Sequence, residues 1–143
     1  MTDEIIISVD QHIATVTLNR PEARNALTFG MYQTLFDLCR QAGTPKDDRA
    51  IKAIVICGAG EKAFAAGTDI GQFTSFETPQ DGHDYEAQIE SVIRSIETCR
   101  VPVIAALHGA VTGGGLVIAA AAHLRLASAD VKIGMPIART LGN

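Results

Sequence analysis

Three consecutive glycines, Gly113-Gly114-Gly115, stand directly before the small-residue apolar run Leu116-Val117-Ile118-Ala119-Ala120-Ala121-Ala122. Glycine lacks the Cβ that would hold a ligand away from the main chain, and the first N–H groups of a helix have no intrahelical acceptor. With the helix dipole behind them, those groups attract an anion or an oxygen that gains negative charge. A second glycine-bearing stretch, Lys62-Ala63-Phe64-Ala65-Ala66-Gly67-Thr68-Asp69-Ile70, follows a buried-strand pattern, as the His108-to-Gly115 stretch follows another. If the two loops meet, one backbone amide from each can grip a single oxygen. That arrangement stabilises an enolate or a tetrahedral oxyanion, and loss of one such donor costs about 10²–10³ in rate.

Side chains able to move protons are scattered around these loops. Asp69 reads as the cap of a short turn after its loop. His83, Asp84 and Glu86 read as a solvated face before a helix, with Asp81 nearby. His108 reads as a hydrogen-bonded structural imidazole and Asp130 as a turn residue, while His12 and His123 carry no specific signal. Cys39, Cys57 and Cys99 have neither metal-ligand nor redox spacing, so they read as small buried hydrophobes in a reducing cytoplasm, and no metal site is expected. The segment Gly58-Ala59-Gly60-Glu61-Lys62-Ala63 formally fits the dinucleotide pattern G-x-G-x-x-A. No long apolar helix opens from it, which leaves a dinucleotide-binding domain as a weak alternative. No Lys-Ser/Thr follows the triple glycine, so it is not a nucleotide P-loop.

The elements that must position these loops read as α/β with a partly parallel sheet. Residues 4–9 and 13–18 alternate apolar and polar around Asp10-Gln11-His12, the pattern of an antiparallel hairpin. Asn19-Arg20-Pro21-Glu22-Ala23-Arg24-Asn25 breaks that pattern as a loop. Thr28 caps a predicted helix to about Ala42, with Met31, Leu35 and Leu38 or Cys39 on one face and Gly43 beyond its end. Residues 53–57 and 103–107 read as strands buried on both faces, and 124–127 as a further strand. Between them lie a polar loop from Gly58 to about Gly82, a helix over 85–99, and a helix from the glycine run to about His123.

The 143 residues, 47% hydrophobic, suffice for one core. A net charge of −4 with no basic cluster speaks against nucleic-acid binding. The acidic start, Met1-Thr2-Asp3-Glu4, is unlike a targeting peptide, and no apolar run is long enough to span a membrane. The chain stops at Thr140-Leu141-Gly142-Asn143 without a polar tail, which reads as a fragment whose missing part would leave apolar surface exposed.

Four ordered motifs then carry a resemblance: Asn19-Arg20-Pro21-Glu22-Ala23-Arg24-Asn25-Ala26-Leu27, Ala63-Phe64-Ala65-Ala66-Gly67-Thr68-Asp69-Ile70, Arg100-Val101-Pro102-Val103-Ile104-Ala105-Ala106-Leu107-His108-Gly109, and Gly113-Gly114-Gly115. Nearly the whole chain resembles the amino-terminal part of the crotonase superfamily, the enoyl-CoA hydratase/isomerase family. The resemblance implies a ββα spiral fold, with residues 1–143 as the N-terminal portion of its domain. It implies an oxyanion hole made by the N–H groups of Thr68 and Gly114, holding the thioester oxygen of an acyl-CoA as it becomes an enolate. It places Ala23, Arg24, Ala26, Ala65, Ala66, Gly67, Asp69, Ile70 and Gly113 along the substrate; Arg24 reads as a phosphate contact or a solvated loop charge, and Lys62, the other candidate for a phosphate, reads rather as a solvated charge. It implies lyase or isomerase chemistry of fatty-acid type, coenzyme A as part of the substrate with no separate cofactor, and trimers or paired hexamers at full length.

The resemblance fails at two positions. Family hydratases carry glutamates where this chain has Val117 and Ile137. Hydration needs a base to activate water and an acid to protonate carbon, and alkyl side chains transfer no protons. Two-glutamate hydration is therefore not expected, and a non-catalytic acyl-CoA-binding paralogue becomes the alternative.

Overall fold

Alternation over 13–18 becomes a core-facing row in which Ala14, Val16 and Leu18 are wholly buried. The computed structural model describes residues 3–136 and builds that row into a mixed sheet. Strand β1 (Ile5–Asp10) runs antiparallel to β2 (Ile13–Leu18), and the two are joined by Gln11 and His12. Both linking residues have positive φ, 47° and 67°, the geometry whose twist matches a two-residue hairpin.

Strands β3 (Ala53–Gly58), β5 (Val103–Leu107) and β7 (Leu124–Ala127) add in parallel, giving the order β1-β2-β3-β5-β7. A second sheet holds β4 (Ala63–Ala66), β6 (Ala110–Thr112) and β8 (Lys132–Gly134), all parallel in the order β4-β6-β8. Among the described residues three helices pack with the sheets: α1 (Phe29–Gln41) on α2 (Pro79–Glu97), and α2 on α3 (Gly114–Ala121).

Helix α1 starts where its cap was expected. The Thr28 hydroxyl accepts from the Met31 N–H at 3.2 Å and donates to Glu4 at 2.7 Å. Its buried face is Met31, Tyr32, Leu35, Leu38 and Cys39.

Three expectations need correction. The 58–82 loop contains β4 and a 3-10 turn, Ile70–Ser75. Ala-Phe-Ala-Ala is mostly alanine, which is depleted in strands, and the single aromatic Phe64 is too little to announce one. Helix α2 begins at Pro79 and not near Tyr85, because the Asp81 carboxylate accepts the Glu77 and Thr78 N–H groups at 2.9 and 2.7 Å. Strands β3 and β5 bury one face fully and the other only in part. Strand β7, an edge of the larger sheet, is exposed along its whole length, with Leu124 58% and Leu126 67% accessible.

Candidate active site

The loops that carry the glycines leave neighbouring strands at the same end. In the smaller sheet Ala66 of β4 pairs with Thr112 of β6, so Gly67-Thr68 and Gly113-Gly114 emerge side by side. The sequence reading anticipated that convergence but assigned it to the buried strands β3 and β5. Instead the chain turns after β3, through Gly60 at φ +72°, and enters the second sheet before reaching the loop.

Each loop is held by main-chain bonds. The Leu27 N–H donates to the Gly67 carbonyl and the Asp69 N–H to the Leu27 carbonyl, both at 2.9 Å. Those bonds turn the intervening Thr68 N–H away from Leu27, since successive amides along an extended segment point to opposite sides. Across the sheet the Gly67 N–H donates to the Thr112 carbonyl at 2.9 Å. Gly113 sits at φ 52°, ψ −126°, a conformation that only glycine adopts without strain, and this kink starts α3 at Gly114. Gly114 is thus the first residue of its helix, where the N–H has no intrahelical acceptor.

Both loops line a cavity of about 430 Å³. Ala66, Gly67, Thr68, Gly113 and Gly114 form one wall, with Ile70, Phe73, Ile89 and Val117 supplying apolar surface. Among the described residues no carboxylate, imidazole or thiol lines it. Its polar side chains are hydroxyls: Tyr32, Thr68, Tyr85 and Thr112. The Tyr32 and Thr68 hydroxyls are hydrogen-bonded at 2.8 Å, and the Tyr85 hydroxyl donates to Thr68 Oγ1 at 3.4 Å. Burial pushes the Tyr32 phenol well above the usual tyrosine range, with the Thr68 bond offsetting part of that, so it stays neutral.

A second cavity, of about 400 Å³, gathers Arg24, Lys62 and Lys132 with Glu61 and Asp130. Its cations exceed its carboxylates, which suits an anionic ligand. The structure therefore brings Arg24 and Lys62 together and adds Lys132, which no local pattern singles out. Arg24 lies at φ 51° on a loop tied to β4 by the Ala66 N–H donating to the Arg24 carbonyl at 2.9 Å.

The other named residues are scattered. Ala23 and Ala26 shape the same loop, the Ala26 carbonyl accepting the Arg20 guanidinium at 2.7 Å. Ala65 is wholly buried beneath Gly115, whose missing Cβ would strike the Ala65 carbonyl. Asp69 caps the 3-10 turn by accepting the Gly71 N–H at 3.0 Å, as expected, and pairs with Arg20 at 2.8 Å. That Arg20 contact first, and the Gly71 N–H second, hold the Asp69 carboxyl below the usual carboxylate range. His83, Asp84 and Glu86 are exposed on α2, and Asp81 is spent in its cap. His108 Nε2 bonds the Gly60 carbonyl at 2.8 Å, the structural role expected of it. Asp130 accepts from the Ser128 hydroxyl in a turn and also edges the charged cavity. Ile137 lies outside the described residues. The segment after β3 leads into a strand of another sheet and not into a helix, so it lacks the geometry of a dinucleotide fingerprint. Tyr32, Phe73 and Tyr85 also line the cavity and had no sequence signal: Tyr32 lies among the core positions of its helix, Phe73 inside the segment read as a polar loop, and Tyr85 at the expected start of the second helix.

The enoyl-CoA hydratase/isomerase family model matches residues 8–141. The chain belongs to that family. A probable enoyl-CoA hydratase of Bacillus subtilis is 38% identical over 132 residues, 92% of this chain and 49% of the relative. The short-chain-enoyl-CoA hydratase of Clostridium acetobutylicum is 35% identical over 94% of this chain and 50% of its own length. Among solved structures, an enoyl-CoA hydratase/carnithine racemase from Magnetospirillum magneticum superimposes with a TM-score of 0.84 at 36% identity, over 97% of this chain and 51% of that one. The crotonase-type fold is thus shared, and this enoyl-CoA hydratase/isomerase family chain spans about half the length of the curated relatives it matches. Among the described residues no helix is long and apolar enough to cross a membrane.

Proposed function

We propose that this chain binds an acyl-CoA and polarises its thioester carbonyl between the Thr68 and Gly114 N–H groups. The observation that carries the reading is the Ala66 to Thr112 register, which sets the two loops side by side with the Thr68 N–H turned from Leu27 and Gly114 opening α3. In this reading the acyl group enters the apolar cavity, and Arg24, Lys62 and Lys132 meet the phosphates of coenzyme A from the charged one. Coenzyme A arrives as part of the substrate, and no separate cofactor is invoked. The three free thiols fit a cytoplasmic setting, and the family likeness supports trimers or hexamers of the full-length protein.

Val117 on the cavity wall, and an apolar lining without carboxylates among the described residues, favour chemistry other than two-glutamate hydration. The same observation supports a second reading, an acyl-CoA-binding paralogue that does not turn substrate over.

Titration calorimetry with butyryl-CoA and crotonyl-CoA tests the binding claim. Both should bind, and Arg24→Ala should weaken both roughly tenfold, the worth of one charge-assisted contact. Following crotonyl-CoA by its ultraviolet absorbance then separates the non-catalytic reading from a hydratase, because bound but unchanged crotonyl-CoA excludes hydration. Retention on a nicotinamide cofactor without response to any CoA ester would refute both.

A further inference from the structure

The chain has only two tyrosines, and their hydroxyls reach the same oxygen. Tyr32 comes from α1, is 1% exposed, and lies 2.8 Å from Thr68 Oγ1. A Cβ built on Gly114 would strike the Tyr32 hydroxyl and come within 2.6 Å of Thr68 Oγ1. Both oxygens therefore lie directly against the Gly114 Cα. One phenol oxygen, anchored in the core, touches both loops.

We propose that Tyr32 is a positioning residue, whose buried hydroxyl fixes Thr68 against Gly114 and so sets the spacing of the two N–H groups that grip the thioester oxygen. The inference rests on the acyl-CoA reading above. Three arguments support it. A buried hydroxyl without a partner is costly, so Tyr32 and Thr68 are mutually constrained. Burial keeps the phenol neutral, which suits it to hold geometry and not to act as a base. Oxyanion stabilisation depends on donors fixed in place before charge develops, and small displacements of such groups are expensive in rate. Tyr85, from α2 and on the cavity side, donates to the same Thr68 oxygen at the longer distance of 3.4 Å and completes the brace.

The test uses butyryl-CoA, isotope-labelled at the thioester carbonyl, because a saturated acyl group cannot be hydrated. Difference infrared spectroscopy reads the carbonyl stretch of the bound ester, and calorimetry reads its affinity. On the wild-type chain the stretch should move to lower frequency. Tyr32→Phe should lose roughly half of that displacement, the share of one misplaced donor of two, while the affinity stays within about threefold. Thr68→Val removes the same hydrogen bond from its other end and keeps the backbone N–H. It should reproduce the loss, and the double variant should lose no more than either single one. If Tyr32→Phe does not fold, Thr68→Val carries the comparison alone, and an unchanged stretch in it overturns the proposal. An undiminished displacement in Tyr32→Phe, or additive losses in the double variant, would also overturn it. Failure of the wild-type chain to bind butyryl-CoA would overturn the acyl-CoA reading itself. Binding without any displacement would overturn the oxyanion assignment and this inference with it.

Discussion

Asn25 shows how one side chain can hold two loops in register. It is wholly buried at φ 55°; its Oδ1 accepts the Arg20 N–H at 2.9 Å, and its Nδ2 donates to the Ala59 and Ala63 carbonyls at 2.9 and 2.8 Å. Asn25→Ala should cost about 2–4 kcal/mol in urea denaturation, since it strands one buried carbonyl and two partly buried groups. A loss under about 0.5 kcal/mol would mean that water replaces them. Neighbouring Arg20 and Asp69 add a pH dependence with a definite sign. Asp69 is held below its ordinary pKa in the folded chain, so the pair stabilises above the unfolded-state value of about 3.9 and that gain disappears as pH falls through the lower folded value. Asp69→Asn should therefore flatten the stability curve below about pH 4. An acid limb as steep as in the wild type would show that other carboxylates set it. The capping role of Asp69 was legible in the sequence; its pairing with Arg20, 49 residues away, was not.

At the scale of elements, the seating of α3 on β4 decides the geometry of the candidate site. Gly115 is packed so closely that an added Cβ would meet the carbonyl, Cβ and carbonyl carbon of Ala65. Because the obstacle is largely backbone and not a flexible side chain, Gly115→Ala should cost about 2–3 kcal/mol and lift α3 from the sheet. Thermal unfolding with butyryl-CoA present and absent would register both effects, and an unchanged midpoint would contradict the packing. At the start of α1, Thr28→Ala should cost about 1 kcal/mol by removing the cap on Met31. The predicted cap, buried face and hairpin followed from local chemistry that needs no tertiary context. The start of α2 was misread because Gly82 resembles a breaker, although Thr78-Pro79-Gln80-Asp81 carries a cap, a first-turn proline and an acid at the third position.

For the whole molecule, the apolar surface is unevenly covered. Leu124 and Leu126 on the edge strand β7, with Ile133 and Met135 beyond it, are 49–67% exposed. Edge strands with exposed apolar side chains pair readily with other chains. The 143-residue chain should therefore associate with rising concentration, and Leu126→Lys should reduce that association in sedimentation velocity. Equal behaviour of both proteins would place the contact elsewhere. The α/β class, the hairpin, α1, the two glycine loops and the family motifs can be read from the amino acids alone, because turn chemistry, caps and hydrophobic period are local properties. Three-dimensional packing adds that a second sheet carries the loops, that Lys132 joins Arg24 and Lys62, and that Tyr32 and Tyr85 converge on Thr68. Those are contacts between residues far apart in the chain, and they arise from strand order and helix packing that no local pattern encodes.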